Sequence, residues 1–524
     1  MKAAQAMSLR TITNAGHARS RVTFMCPGAT DAAELRPCLE LAAALAKQGT
    51  IVTVACHAKH RSMLKSLGQG LLFADCGLDP QQARKTTASG QALEAVKTDP
   101  AKVGPALSAF VFELVGDWFA KGLALLVADP LGSSGKRQES PDCVVLATPA
   151  AVYCLAGICD EYALPFAVLD ANPLFASTLF PPPKAFRGVA AVGAEPTNVG
   201  QWAIWQESTW RFLYRDAVNA CRTASGLEPY GPGANASPLA FLLADGSTSG
   251  SGVGSGGGVP APVLLGYQPE LLPRDPEWPS HVHVCGLMGG GLGPLPEQDP
   301  GSKVLPDNVR AFFNADLTSP VVLVSLGLVG DQWQDVATRN ALLVQCLEAF
   351  TLANVRSVVV LPTGCRVPGQ YLVDGYRCLS VLALPIGAEM AVMRKCCCVV
   401  SAGDAWTVQA ACRAGTPSIT LRLSGGAVAN NHEHSAEAEF WGRAACAAGC
   451  ALPPLPGGAL KVSTLASHVA QVVDPTSKER QRTVELAEAM RVSNNRGMAR
   501  AVQVVSGLAG SVAAIRAAAY NAVE

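Results

Sequence analysis

The chain has 524 residues, 49% of them hydrophobic and 16% charged, which is too apolar for a disordered protein and too long for one ordinary core. Its 41 Lys and Arg balance its 41 Asp and Glu, so no net field draws a polyanion and nucleic-acid binding is disfavoured. The 18 cysteines sit mostly inside apolar runs such as residues 396–400, without paired zinc spacing, and predict buried thiols in a reducing, cytoplasmic setting.

Residues 1–21 carry Lys2, Arg10, Arg19 and Arg21 with no acid before Asp31, a pattern open to two readings, a flexible tail or an organelle-targeting leader. An apolar run at 22–26 ends in a Pro-Gly loop, and helical spacing of Leu35, Leu39, Leu41 and Leu45 predicts a helix over 35–47 closed by Gly49. Strands are expected at 51–56 and 71–73, then at 143–147 and 165–169 with a helix over 150–162 between them. A new series begins at 320–325 and continues at 357–361, 379–384, 397–400 and 418–421. Two series of alternating strands and helices imply two parallel sheets with right-handed crossovers. The expected division is a first domain over 22–290, a linker over 291–304, a second domain over 305–475 and C-terminal helices over 476–524. Within the first, residues 245–258 are almost entirely Gly and Ser and read as a mobile surface insertion. Nowhere does an apolar stretch reach the roughly 18 residues of a membrane-spanning helix.

Several spaced segments carry a resemblance. Residues 141–149, 154–165 and 175–183 are similar in order and spacing to a strand, a helix end and a Pro-rich loop of the sterol glucosyltransferase branch of the UDP-glycosyltransferases. Residues 265–273 and 276–286 resemble the segment that closes the first domain of that family. Arg413 to Pro417, the Phe440, Trp441 and Gly442 stretch running on to Pro456, and residues 497–502 resemble its second half. The resemblance spans about residues 22–505 and implies an α/β fold of GT-B type, two Rossmann-like domains facing a cleft. It also implies a UDP-sugar co-substrate, no metal or other cofactor, and inverting transfer of a hexose, glucose above all, to a hydroxyl of a lipophilic, sterol-like acceptor, with peripheral membrane contact as an accompanying expectation.

The family's His-His-Gly-Gly diphosphate motif corresponds here to Ser401, Ala402, Gly403, Asp404, Ala405, Trp406 and Thr407. Both histidines are absent, Asp404 brings a carboxyl to the expected phosphate position, and Trp406 brings bulk where a glycine lets backbone approach. Ser325, Gly327 and Leu328 stand at the turn that borders the nucleotide in the family, Glu389 near the base-lining segment, and Glu437 at a position contacting sugar hydroxyls. On the acceptor side, residues 30–37 correspond to a loop whose acid is replaced by Glu34, with Asp31 as the alternative general base. Glu34 is equally readable as a charge favourable to a helix N-terminus. His57 and His60 read as a solvated helix start, His432 and His434 flank Glu433 in an inserted loop, and Trp278, His281 and His283 read as packing residues. Two functions therefore stand side by side, an active UDP-sugar glycosyltransferase and a catalytically inactive relative serving as a binding or scaffold protein.

Overall fold

The computed structural model describes residues 19–29, 32–66, 70–96, 99–127, 140–183, 198–231, 237–243, 260–288, 305–316, 318–326, 336–361, 365–372, 377–381, 384, 388–422 and 431–521. The expected tail, the Gly/Ser insertion at 245–258, the linker at 291–304, and Asp31, Gly327 and Leu328 lie outside them.

The first series is strand β1 (Arg21–Met25), helix α1 (Ala32–Lys47), β2 (Ile51–Cys56) and β3 (Leu71–Asp75). Residues 80–126, to which no element is assigned from the sequence, form α2 (Pro80–Thr86), α3 (Ala88–Val96) and α4 (Pro100–Leu126). Asp79 and Asp99 cap α2 and α4, each accepting a backbone N–H, with Pro at the first helical position where no N–H is needed. Strand β4 (Cys143–Leu146), α5 (Pro149–Glu161) and β5 (Phe166–Asp170) follow, then α6 (Asn198–Thr209), α7 (Arg215–Ala224), β6 (Val263–Leu265) and β7 (Val282–Val284). The seven strands lie in the order β3-β2-β1-β4-β5-β6-β7, all parallel, so the chain reverses its winding direction between β1 and β4.

The second series repeats that plan with α8 (Asp307–Ala315), β8 (Val321–Ser325), α9 (Val336–Leu352), β9 (Arg356–Val360), β10 (Cys378–Val381), α10 (Ala388–Lys395), β11 (Cys398–Ser401), α11 (Ala405–Ala414) and β12 (Ser418–Arg422). It ends with α12 (Asn431–Ala447), β13 (Leu455–Pro456) and α13 (Val462–Val473). The strand order β10-β9-β8-β11-β12-β13 has its own switch point between β8 and β11. The β-branched runs Val321, Val322, Val324 and Val358, Val359 are buried on both faces, as a central parallel strand covered by helices requires.

Each sheet carries an apolar core on either face, and one core crosses between the halves. Ala405, Val408 and Cys412 of α11 and Trp441 and Ala445 of α12 pack into the cluster that holds Tyr153, Phe175, Tyr267 and Trp278 of the first half. The C-terminal α14 (Lys478–Asn521) is a single 44-residue helix rather than the several expected. It packs on α11 and then returns to the first half, where Ala501, Val502, Val505 and Ala509 complete the core under β1 and α1. Gly497 permits that crossing, because a Cβ there would lie 1.9 Å from the Cys285 carbonyl oxygen.

Two local expectations change. The stretch read as an acceptor loop at 30–37 is helical from Ala32, with Pro37 inside α1 at the cost of one backbone hydrogen bond. The inserted loop holding His432 and His434 is the start of α12. Glu479, in the first turn of the C-terminal helix, is buried and accepts from Gln471 Nε2, so that helix start is tied to α13. The thiols follow expectation in being free and mostly buried; Cys221, Cys397 and Cys446 are half-buried.

Candidate functional site

The expected donor cradle is the β11–α11 turn. Strand β11 ends at Ser401, whose partner across the switch point is Ser325 of β8. The chain turns through Gly403 at φ +85°, a conformation that favours glycine; a Cβ would also lie 2.6 Å from Thr420 Cγ2 and 2.7 Å from Ala438 Cβ. Asp404 is the N-cap of α11, its Oδ1 accepting the Thr407 N–H at 2.8 Å. Ser401 Oγ accepts the Gly403 N–H at 3.3 Å. Ser401, Ala402, Asp404 and Thr407 are all buried.

Burial pushes the Asp404 carboxyl above its ordinary range; the Thr407 hydrogen bonds oppose this, Glu437 adds to it and Arg36 opposes it. The carboxyl that sequence alone sets against a diphosphate is therefore turned into the helix end and more readily neutral than an exposed one. It also occupies one of the first-turn amides, that of Thr407, that would otherwise face an anion.

Across from this turn stands α1. Arg36 Nη1 lies 2.7 Å from Glu389 Oε2, with the arginine side chain 4% exposed and the glutamate 13%. The guanidinium carbon sits 3.8 Å above the Trp406 ring, a cation–π contact. Trp406 belongs to the core with Leu287, Val309 and Met390, so its bulk fills the second domain and offers its face to the first. Glu34, in the first turn of α1, is half-buried two residues before Arg36.

Further pairs join the halves. Asn172, just beyond β5, donates to Glu437 Oε1 at 3.4 Å and accepts from Trp441 Nε1 at 2.8 Å. The Gln268 N–H donates to Gln409 Oε1 at 2.7 Å, and Arg413 Nη1 donates to the Leu287 carbonyl at 3.5 Å. Phe180 meets Phe440 edge to face. The structure thus brings Glu389, Asp404 and Glu437 to one buried boundary with Arg36 and Asn172, while Ser325 borders it from β8. Sequence reading misses Arg36, Asn172, Gln268 and Gln409 as site residues; a buried arginine between Leu35 and Pro37 is the one available signal.

His57 and His60 are buried instead of standing at a solvated helix start. The Gly28 N–H can only donate, so His57 Nε2 accepts it at 3.2 Å and the protonated Nδ1 donates to the Gly77 carbonyl at 3.0 Å. The imidazole therefore pins the turn leading from β1 towards α1. Trp278 and His281 pack and hydrogen-bond as expected, to the carbonyls of Ala176 and Leu242. Among the described residues no group of three or more His, Cys, Asp or Glu could hold a metal ion, and no helix is long and apolar enough to cross a membrane.

Two parallel sheets, each with its own switch point, meeting at the carboxyl ends of their central strands, are the GT-B type of fold. Known glycosyltransferase structures share it over nearly the whole chain. CalG4, the calicheamicin glycosyltransferase, superposes with a TM-score of 0.58 at 15% identity, covering 94% of this chain and 99% of that one. The glycosyltransferase of kitacinnamycin gives 0.57 at 15% identity over 94% and 100%, and SnogD from Streptomyces nogalater gives 0.53 at 16% identity over 94% and 100%. In sequence, O-mycaminosyltylonolide 6-deoxyallosyltransferase of Streptomyces fradiae is 26% identical over 300 residues. That match spans 56% of this chain and 56% of that protein, so it extends over little more than half of this curated relative. No family model matches the sequence.

Proposed function

We propose that the protein is a nucleotide-sugar-dependent glycosyltransferase acting on a hydroxyl of a lipophilic small molecule. The observation that carries this reading is the β11–α11 turn. A left-handed glycine, a buried Ser/Thr-lined strand end and a helix N-terminus meet the first domain at the carboxyl edge of a GT-B sheet. A UDP-sugar fits the resemblance of the segments, and a hexose, glucose first, is the sugar it suggests. The relative named for transfer to O-mycaminosyltylonolide widens the acceptor class from sterols to other apolar molecules bearing a hydroxyl.

In the proposed reaction Glu34, or Asp31 three residues before it, takes the proton of the acceptor hydroxyl. The acceptor oxygen forms a bond to the anomeric carbon as the bond from that carbon to the diphosphate oxygen breaks, the electron pair leaving with the nucleoside diphosphate and the anomeric centre inverting. Ser325, Gly327, Leu328, Glu389, Ser401, Ala402, Gly403, Asp404, Thr407 and Glu437 form the donor side. Positioning and water exclusion between the domains supply much of the rate. No metal or other cofactor enters this scheme, and the donor is a co-substrate; a peripheral membrane contact would serve delivery of an apolar acceptor.

A second reading, a non-catalytic binding or scaffold protein, is favoured by Asp404, whose carboxyl already caps the Thr407 amide at the helix N-terminus. Titration of the full chain with UDP, TDP and UDP-glucose, followed by thermal shift and by transfer to a panel of sterol and macrolide alcohols, separates the two. A donor that raises the melting temperature and is consumed with an alcohol supports the enzyme. Absence of any shift at millimolar nucleotide rules it out.

A further inference from the structure

We propose that Arg36 is the diphosphate-binding cation of this protein, held in the present structure by Glu389 and exchanged onto the donor when a nucleotide sugar enters. This rests on the glycosyltransferase reading, which it deepens by naming the group that carries the charge lost with the absent histidines. Four observations place it there. Arg36 is buried at the domain boundary, 4% exposed, against the second domain. Its Nε has no hydrogen-bond partner, and Nη1 approaches Glu389 Oε2 at 2.7 Å without hydrogen-bond alignment. Its guanidinium carbon lies 3.8 Å from the ring centroid of Trp406, the second residue of the helix that Asp404 caps. It is also close enough to Asp404 to favour that group's charged form.

A guanidinium presents five donors in a planar fork that matches two phosphate oxygens, and stacking on an aromatic ring leaves the edge of the fork free. An ion pair buried with imperfect alignment recovers little of its desolvation cost, so a more highly charged, better-aligned anion can displace the carboxylate. Glu389 then acts as the internal competitor. The same exchange explains how a helix end already occupied by Asp404 can stand beside a diphosphate, because the positive charge comes from α1 across the cleft and not from the helix alone. Donor binding and domain closure are coupled by this arrangement, since Arg36 belongs to the first half and the nucleotide to the second.

The test uses the full chain and two probes, UDP and inorganic pyrophosphate, titrated calorimetrically at fixed salt. Glu389→Gln removes the competitor and is expected to tighten both probes at least tenfold. Arg36→Lys in that background should keep part of the gain, and Arg36→Ala should abolish it. Because Arg36→Ala can leave Glu389 buried and unpaired, the doubly apolar variant Arg36→Met with Glu389→Met serves as the folded control, with its melting curve beside the others. It should bind neither probe more tightly than the parent. No tightening in Glu389→Gln, or tightening that survives in the Arg36→Ala background, overturns the assignment. Arg36-dependent pyrophosphate binding without any UDP-sugar turnover would remove the glycosyltransferase reading and leave the role of Arg36 standing. Turnover that is indifferent to Arg36→Ala would do the reverse.

Discussion

His57 holds two backbone groups, the Gly28 N–H and the Gly77 carbonyl, and it can do so only as the neutral Nδ1–H tautomer. Burial lowers its pKa below the ordinary 6.5, with Lys59 adding to the shift and the Gly77 bond and Asp79 opposing it. His60 beside it is pushed down to about 4, mainly by burial. For both, the unfolded chain binds the proton first, so their contribution is intact above pH 6.5 and lost as the pH falls below it, by about 1.4 kcal/mol per pH unit for each such histidine until its folded pKa is reached. The melting temperature is therefore expected to drop between pH 7 and pH 5, and a His57→Gln, His60→Gln double variant should flatten that slope; an unchanged slope would remove these histidines as its cause. At pH 7.5, His57→Phe leaves both backbone groups without their partner and should cost about 1–3 kcal/mol in a urea melt. A neutral result would mean that the β1–α1 turn does not depend on the imidazole.

Among the elements, α11 and α14 are joined to the rest by glycines that admit no side chain. Gly403→Ala forces a side chain into a positive-φ turn against Thr420 and Ala438, and a loss of about 2–4 kcal/mol is expected from strain together with overpacking. Because the same turn carries the proposed donor site, nucleotide binding should weaken in parallel; retained stability would show that the turn relaxes. Gly497→Ala drives a methyl into the Cys285 carbonyl, so α14 has to lift from the first half. Hydrogen exchange is expected to rise across residues 497–509 and in β1 and α1, whose shared core includes Ala501, Val502 and Val505. Protection unchanged in α1 would place that core elsewhere.

For the whole molecule, the two halves are closed on each other by buried polar contacts and shared apolar packing, so unfolding should be nearly a single event. Asn172 is the hinge point of that argument, since it serves Glu437 and Trp441 at once. Asn172→Ala is expected to cost about 1–3 kcal/mol and to split the thermal transition towards two steps. A single transition at the parental temperature would mean that the cross-domain hydrogen bonds contribute little. All 18 cysteines are free thiols, so titration of the denatured chain with a thiol reagent should count 18, and adding a reductant should leave the melting temperature where it is.

Local pattern alone determined the two series of strands and helices. Val321 to Ser325 and Arg356 to Val360 are short, β-branched, almost continuously buried runs and Pro149 to Glu161 is a longer apolar run opened by Pro, features that belong to the segments themselves, and the order of such segments restricts the sheets to parallel ones with crossovers. The residue types at 401–407, Asp404 and Trp406 among them, were equally legible, because they concern neighbours in the chain. What only the tertiary structure decided is where those side chains point: Asp404 into its own helix end, Glu389 onto Arg36, Glu437 onto Asn172, His57 into a turn formed by Gly28 and Gly77. Each of these depends on the distance between two segments far apart in sequence, which is set by how the two sheets and the crossing α14 pack. Periodicity reports that a residue is covered, whereas the charge or donor that covers it comes from another part of the fold.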